Sequence, residues 1–152
     1  MKELLNYAKA SPAAVKAFLG VETYVRGSGL DAALLELVKM RASQINGCAY
    51  CLDMHSKDAR AAGESEQRLY ALSAWHEAPF YSRRERAALA WTEAVTRLAE
   101  GPVPEAVYGE LCEQFSEKEA VDLTMAVIAI NGWNRLAATF RSPLAGSYQP
   151  KK

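Results

Sequence analysis

Asn46-Gly47-Cys48-Ala49-Tyr50-Cys51-Leu52-Asp53-Met54-His55 is the stretch that decides how the rest of the chain reads. Asn46-Gly47 interrupts one helical pattern, and a second runs from about Cys48 to Ala62 and stops at Gly63. Residues three, four and seven apart share a helical face, so Cys48, Cys51 and His55 line up along one side. A thioredoxin-type C-x-x-C needs flanking strands, and none is apparent. The dithiol therefore belongs to a helical context.

Working outward, nearly every segment carries a helical period and none shows strand alternation. Ser11-Pro12 reads as an N-cap with proline at the first helical position, opening a helix to about Val25 that Gly27-Ser28-Gly29 breaks. Asp31 caps the next helix, which carries Leu34, Leu35, Glu36, Val38 and Ile45. After the cysteine helix comes a short one around Gln67–Trp75. Ser82-x-x-Glu85 and Ser116-x-x-Glu119 are capping boxes. The first opens a helix to about Ala99. The second opens a long apolar helix through Val121, Met125, Ile128, Asn131, Trp133 and Leu136. Between them, Gly101-Pro102-Val103-Pro104 is a turn, and a further helix carries Val107, Leu111 and Phe115. The expectation is a single all-α domain spanning 1–152, with its core at about 20–140 and a fraying tail from Ser142.

A chain of 152 residues is long enough to bury roughly 70% of its unfolded surface. Eighteen Lys and Arg balance eighteen Asp and Glu, which gives no electrostatic case for nucleic acid. The cluster Arg83-Arg84-Glu85-Arg86 is mixed in sign and reads as a solvated helix start. The polar N-terminus does not resemble a signal peptide, and the longest apolar run, Met125 to Ile130, is too short to span a bilayer. Three cysteines with one close pair do not make a disulfide framework, so a reducing, cytoplasmic compartment is expected.

The chemistry follows from the pair and its base. Gly47 leaves Cys48 near a helix N-terminus, where free N–H groups and the helix dipole favour a thiolate. Cys51 is the i−4 neighbour of His55, which can take the thiol proton. Spacing alone leaves open which sulfur attacks. Once either is oxidised to sulfenic acid, the other can condense with it.

Glu36-Leu37-Val38-x-x-Arg41-x-Ser43-x-x-Asn46-x-Cys48-x-Tyr50-Cys51-x-x-x-His55 resembles the signature of the AhpD-like alkylhydroperoxidases, within the carboxymuconolactone decarboxylase superfamily. Asn131-x-x-Asn134-Arg135-Leu136-Ala137 resembles a later helix of that family, and the similarity covers most of 20–140. The resemblance implies an all-helical protomer assembled as a trimer or hexamer, and a thiol peroxidase that needs no cofactor. It makes Cys51 the thiolate that attacks a hydroperoxide, Cys48 the resolving thiol, and His55 with Glu36 the proton relay. The implied partners are the peroxide and a thiol or dithiol reductant. One departure stands out: Tyr50 occupies the position where one branch of the family has a further histidine. A phenol is a poor base at neutral pH, although it can donate a hydrogen bond.

Other polar residues have quieter readings. Arg41 is expected to pair with Glu36 or a neighbouring acid, Cys112 to be core, and His76 to sit near a helix end at the surface. Asn131, Asn134 and Arg135 suggest a polar network or an interface. Trp75, Trp91 and Trp133, with Phe80 and Tyr81, supply apolar area, and some of them should line a pocket above the dithiol or a subunit contact. Three functions compete with the peroxidase: a lactone decarboxylase, which needs no dithiol; a redox sensor; and a zinc module using Cys48, Cys51 and His55 with His76 or Cys112. A structural zinc site usually draws on two ligand pairs, and the chain has one.

Overall fold

Residues 2–150 are described by a computed structural model. Helix α1 spans Tyr7–Ala10, α2 Pro12–Gly27, α3 Ala32–Asn46 and α4 Ala49–Ala61. Helix α5, Glu66–Ala71, continues into a 3₁₀ turn at Leu72–Ala74; α6, Arg83–Thr96, is followed by another at Leu98–Glu100. Helices α7, Glu105–Gln114, and α8, Glu117–Phe140, complete the chain, with no strand among the described residues. No described helix is long and apolar enough to cross a membrane.

Local chemistry sets most boundaries. The Asp31 carboxylate accepts from Leu34 N–H at 2.8 Å and starts α3. Gly47 ends it in the left-handed region, φ 64° and ψ 31°, which glycine enters without a Cβ penalty. Its N–H donates to Gln44 C=O, while Cys48 N–H donates to Ser43 C=O at 3.0 Å. This is a Schellman closure, and its last residue is also the N-cap of α4. One turn thus ends α3 and presents Cys48 at the start of the next helix. Both capping boxes form as the sequence suggests, at Ser82/Glu85 and Ser116/Glu119.

Helix α3 is the hub, packing on α4, α6 and α8. Every residue from Leu34 to Ser43 is buried except Glu36, which is half-buried. A helix enclosed on all sides normally has apolar residues all round. Here Leu34, Leu35 and Val38 join Val25, Leu111, Leu123 and Val127 in one cluster, and Leu37 and Met40 join Leu69, Leu72 and Leu89 in another. The buried polar side chains of α3 are all satisfied. Lys39 donates to Glu22 at 2.6 Å and Arg41 to Glu93 at 2.7 Å. Ser43 donates to Lys39 C=O at 2.7 Å and accepts from Asn134 at 3.0 Å.

Three expectations change. Thr96 ends α6 early, and residues 98–100 tighten into the 3₁₀ turn. Cys112 is exposed, because Leu111 takes the fully buried position on α7 and the next residue is rotated some 100° away from it. The tail, expected to fray, is drawn onto α4 by polar contacts. Gly146 N–H donates to Asp53 and Lys57 donates to Tyr148 C=O, both at 3.0 Å, and the Tyr148 hydroxyl bonds Asp58. Three polar anchors on α4 replace the apolar burial that the tail's composition lacks.

The Glu22–Lys39 pair makes a stability prediction. Burial works to raise the Glu22 carboxyl, but the Lys39 ammonium against it wins and holds it below the ordinary glutamate range. The pair's contribution is therefore complete above that range and lost as pH falls through the depressed value. Glu22→Gln strands a buried ammonium and should cost roughly 3–5 kcal/mol at neutral pH, read by urea unfolding. Loss under 1 kcal/mol would mean that water reaches Lys39.

Candidate active site

Cys48 and Cys51 are each 2% exposed and His55 5%, and all three project from one face of α4. The two sulfurs are joined in a disulfide, with the Cα atoms 5.4 Å apart, inside the usual range for such bridges. Cys48 N-caps α4 through its own sulfur, which accepts from Cys51 N–H at 3.4 Å. Charge developing on either sulfur thus meets the positive end of the helix.

The imidazole and its carboxylate partner come from two helices. His55 on α4 places Nδ1 2.8 Å from Glu36 Oε2 on α3. When Nδ1 carries the proton it donates to the carboxylate, and Nε2 is left as the acceptor nitrogen. Glu36 also stabilises the imidazolium that forms if His55 takes a thiol proton. The α3–α4 packing that Gly47 makes possible is what brings this carboxylate to the imidazole.

Two residues beside the candidate site were not singled out in the sequence. Asp58, one turn beyond His55, brings a carboxylate oxygen within 4.8 Å of the His55 and Glu36 groups. Tyr148, from the tail, bonds both oxygens of Asp58, at 2.7 and 2.9 Å. Asp58 was recoverable from helical spacing, being at i+3 from the histidine. Tyr148 carried no signal, since nothing in the tail's composition says where it docks. Burial, Asp58 and further negative charge push the Tyr148 phenol up to about 12, so it remains a donor throughout the neutral range. Burial, with Asp53 and Asp58, also raises the Tyr50 phenol. It cannot replace a histidine as base, but keeps its proton to donate.

A cavity of about 590 Å³ lies beside the N-terminus of α4, lined by Cys48, Tyr50, Ala137, Ala138, Arg141 and Leu144 among others. Of the two cysteines, Cys48 lines it. None of the three tryptophans does: Trp75 donates to Glu93 at 2.7 Å, Trp91 to Thr124 at 3.0 Å, and Trp133 packs on Phe18 at 4.6 Å.

The remaining candidates fall outside the site. Arg41 pairs with Glu93 rather than Glu36. His76 is largely exposed, stacked on Trp75 and 3.7 Å from Glu93. Asn131 and Asn134 both accept from Asn46 at 2.9 Å, and Arg135 donates to Asn131, a network tying the end of α3 to α8. Of the residues in the zinc reading, Cys48 and Cys51 are bonded to each other, His55 engages Glu36, and Cys112 lies exposed on α7.

The model of the carboxymuconolactone decarboxylase family matches residues 11–94. The chain belongs to that family. Within it, the chain is AhpD-like. It is 41% identical to the uncharacterized protein YdfG of Bacillus subtilis (strain 168), over 90% of this chain and 93% of that protein. It superposes with a TM-score of 0.90, at 47% identity, on ATU0492 of Agrobacterium tumefaciens, covering 99% of this chain and all of that one. That protein is of unknown function and described as a candidate AhpD antioxidant-defence protein. The debrominase Bmp8 shares the fold at a TM-score of 0.80 and 23% identity, over 91% of this chain and 74% of that one.

The geometry predicts that His55→Ala lowers Cys51 alkylation in the reduced protein on the order of 100-fold, and Glu36→Gln by a smaller factor. Iodoacetamide labelling read peptide by peptide, with exposed Cys112 as the internal reference, measures both. Equal labelling of Cys51 in wild type and His55→Ala would remove His55 as the base.

Proposed function

We propose that this protein is a thiol-dependent peroxidase, a disulfide oxidoreductase that reduces organic hydroperoxides through Cys48 and Cys51. The observation that carries this reading is a disulfide-forming pair at a helix N-terminus, one turn from a histidine already bonded to a carboxylate. The AhpD-like relatives support it.

The reaction runs in three steps. His55, backed by Glu36, takes the Cys51 proton, and the thiolate attacks one peroxide oxygen. The O–O bond breaks, the departing alkoxide takes a proton and leaves as alcohol, and Cys51 becomes a sulfenic acid. Cys48 then attacks the Cys51 sulfur, the S–S bond forms, and the hydroxyl leaves as water with the Cys48 proton. A thiol or dithiol reductant supplies two electrons to reopen the bridge. Cys48 lines the cavity and is the sulfur that an incoming thiol meets. Attack there expels Cys51 as the thiolate beside its base, which agrees with Cys51 as the peroxide-attacking residue.

A decarboxylase has no use for a dithiol, so the intact pair argues against that chemistry. Exposed apolar side chains on α2 and α8, Leu19, Val121 and Ile128, suit a homo-oligomer.

With cumene hydroperoxide and dithiothreitol, Cys48→Ser and Cys51→Ser should each fall to the uncatalysed rate. A sulfenic-acid trap should label residue 51 in Cys48→Ser and leave residue 48 unlabelled in Cys51→Ser. Wild-type turnover in either variant would sink the proposal, and labelling of Cys48 alone would reverse the two roles.

A further inference from the structure

Two carboxylates stand near one imidazole. Glu36 from α3 holds His55 Nδ1, while Asp58, on α4, brings an oxygen within 4.8 Å of the same groups. Asp58 has no cation or backbone N–H holding it among the described residues; its partner is the Tyr148 hydroxyl, bonded to both of its oxygens. The Tyr148 carbonyl is fixed in turn by Lys57, and the preceding tail by Gly146 N–H on Asp53. The tail is thus stapled to α4 at three points, and its tyrosine holds the Asp58 carboxylate beside His55.

We infer that Tyr148 is a positioning residue for the dithiol site: it holds the Asp58 carboxylate away from His55, so that Glu36 alone orients the imidazole. The inference rests on the thiol reading of the site and adds a role for the C-terminal tail. A carboxylate released from Tyr148 would start within 4.8 Å of the imidazole and could turn onto it. Captured on Nε2, the imidazole would no longer be free to accept the Cys51 proton; captured on Nδ1, it would be turned from its Glu36 bond. In either case fewer molecules hold a base poised on Cys51. The hydroxyl stays protonated across the neutral range, so it remains able to donate to Asp58. Other charges near His55 are already committed. Glu22 on α2 bonds the buried Lys39, and Arg26 lies 3.4 Å from Glu22. From α4, Asp53 bonds Lys57.

The test needs no peroxide. Reduced full-length protein is alkylated with iodoacetamide at neutral pH, and Cys51 labelling is compared with Cys112 in four proteins. Tyr148→Phe should lower the Cys51 rate about tenfold, because an aromatic ring remains but the hydrogen bond to the charged group is gone. Asp58→Ala should stay within about twofold of wild type, and Tyr148→Phe/Asp58→Ala should recover that same rate, since the competing carboxylate is gone. A tail that merely anchors would behave differently: Asp58→Ala and the double variant would then be slowed as much as Tyr148→Phe. That pattern, or an unchanged rate in Tyr148→Phe, would overturn the inference while the thiol reading stands. Wild-type Cys51 no more reactive than Cys112 would overturn both. A thermal melt of each variant separates loss of fold from loss of positioning.

Discussion

The 2.8 Å contact between Glu36 and His55 is the constraint to which the rest of the site answers. A carboxylate and an imidazole nineteen residues apart must be held to a fraction of an ångström. The chain does this by making α3 the buried hub and folding α4 back on it through a single glycine turn. Because Gly47 closes α3 and Cys48 caps α4, both sulfurs are fixed relative to the carboxylate by the same backbone geometry. A looser turn would leave the cysteines and the relay independently mobile, and proton transfer depends on heavy atoms within hydrogen-bond reach.

Placing a hub helix in the interior has a cost, since Lys39, Arg41 and Ser43 go in with it. Each is matched: Glu22 for the ammonium, Glu93 for the guanidinium, and Asn134 for the hydroxyl. Buried ion pairs add little net stability compared with apolar packing, and both of these are satisfied with α3 seated as it is against its neighbours. That seating is also what aims Glu36 at α4. The asparagine network at the far end of α3 does the same against α8, where Asn46 bridges Asn131 and Asn134. Stability and the geometry of the candidate site are set by the same contacts.

Much of this was legible in the residues. The helical period, the two capping boxes, Asp31 and the stops at Gly47 and Gly63 are local signals, and local hydrogen bonds realise them. Cys48, Cys51 and His55 share a face for purely geometric reasons. Glu36 was reachable only through family resemblance, because no rule of spacing links one helix to the next. The partner of Arg41 was open for the same reason. Cys112 went astray because a cysteine beside a core leucine has the composition of a core residue, and one step along a helix is enough to turn it outward. The tail went astray because polar, proline-containing segments usually lack apolar anchors. Here hydrogen bonds to Asp53, Lys57 and Asp58 substitute for them. Tyr148 is the consequence: a residue beside the candidate site that only the folded chain brings within reach.

The most direct measurement of the central claim uses fully reduced protein and less than one equivalent of organic hydroperoxide, followed by peptide-level mass spectrometry over time. The account predicts loss of two hydrogens from the peptide holding Cys48 and Cys51, far faster than any oxidation of Cys112, although Cys112 is the exposed thiol and the pair is buried. Oxidation of Cys112 first, or at the same rate, would contradict it, because exposure rather than activation would then govern which sulfur reacts.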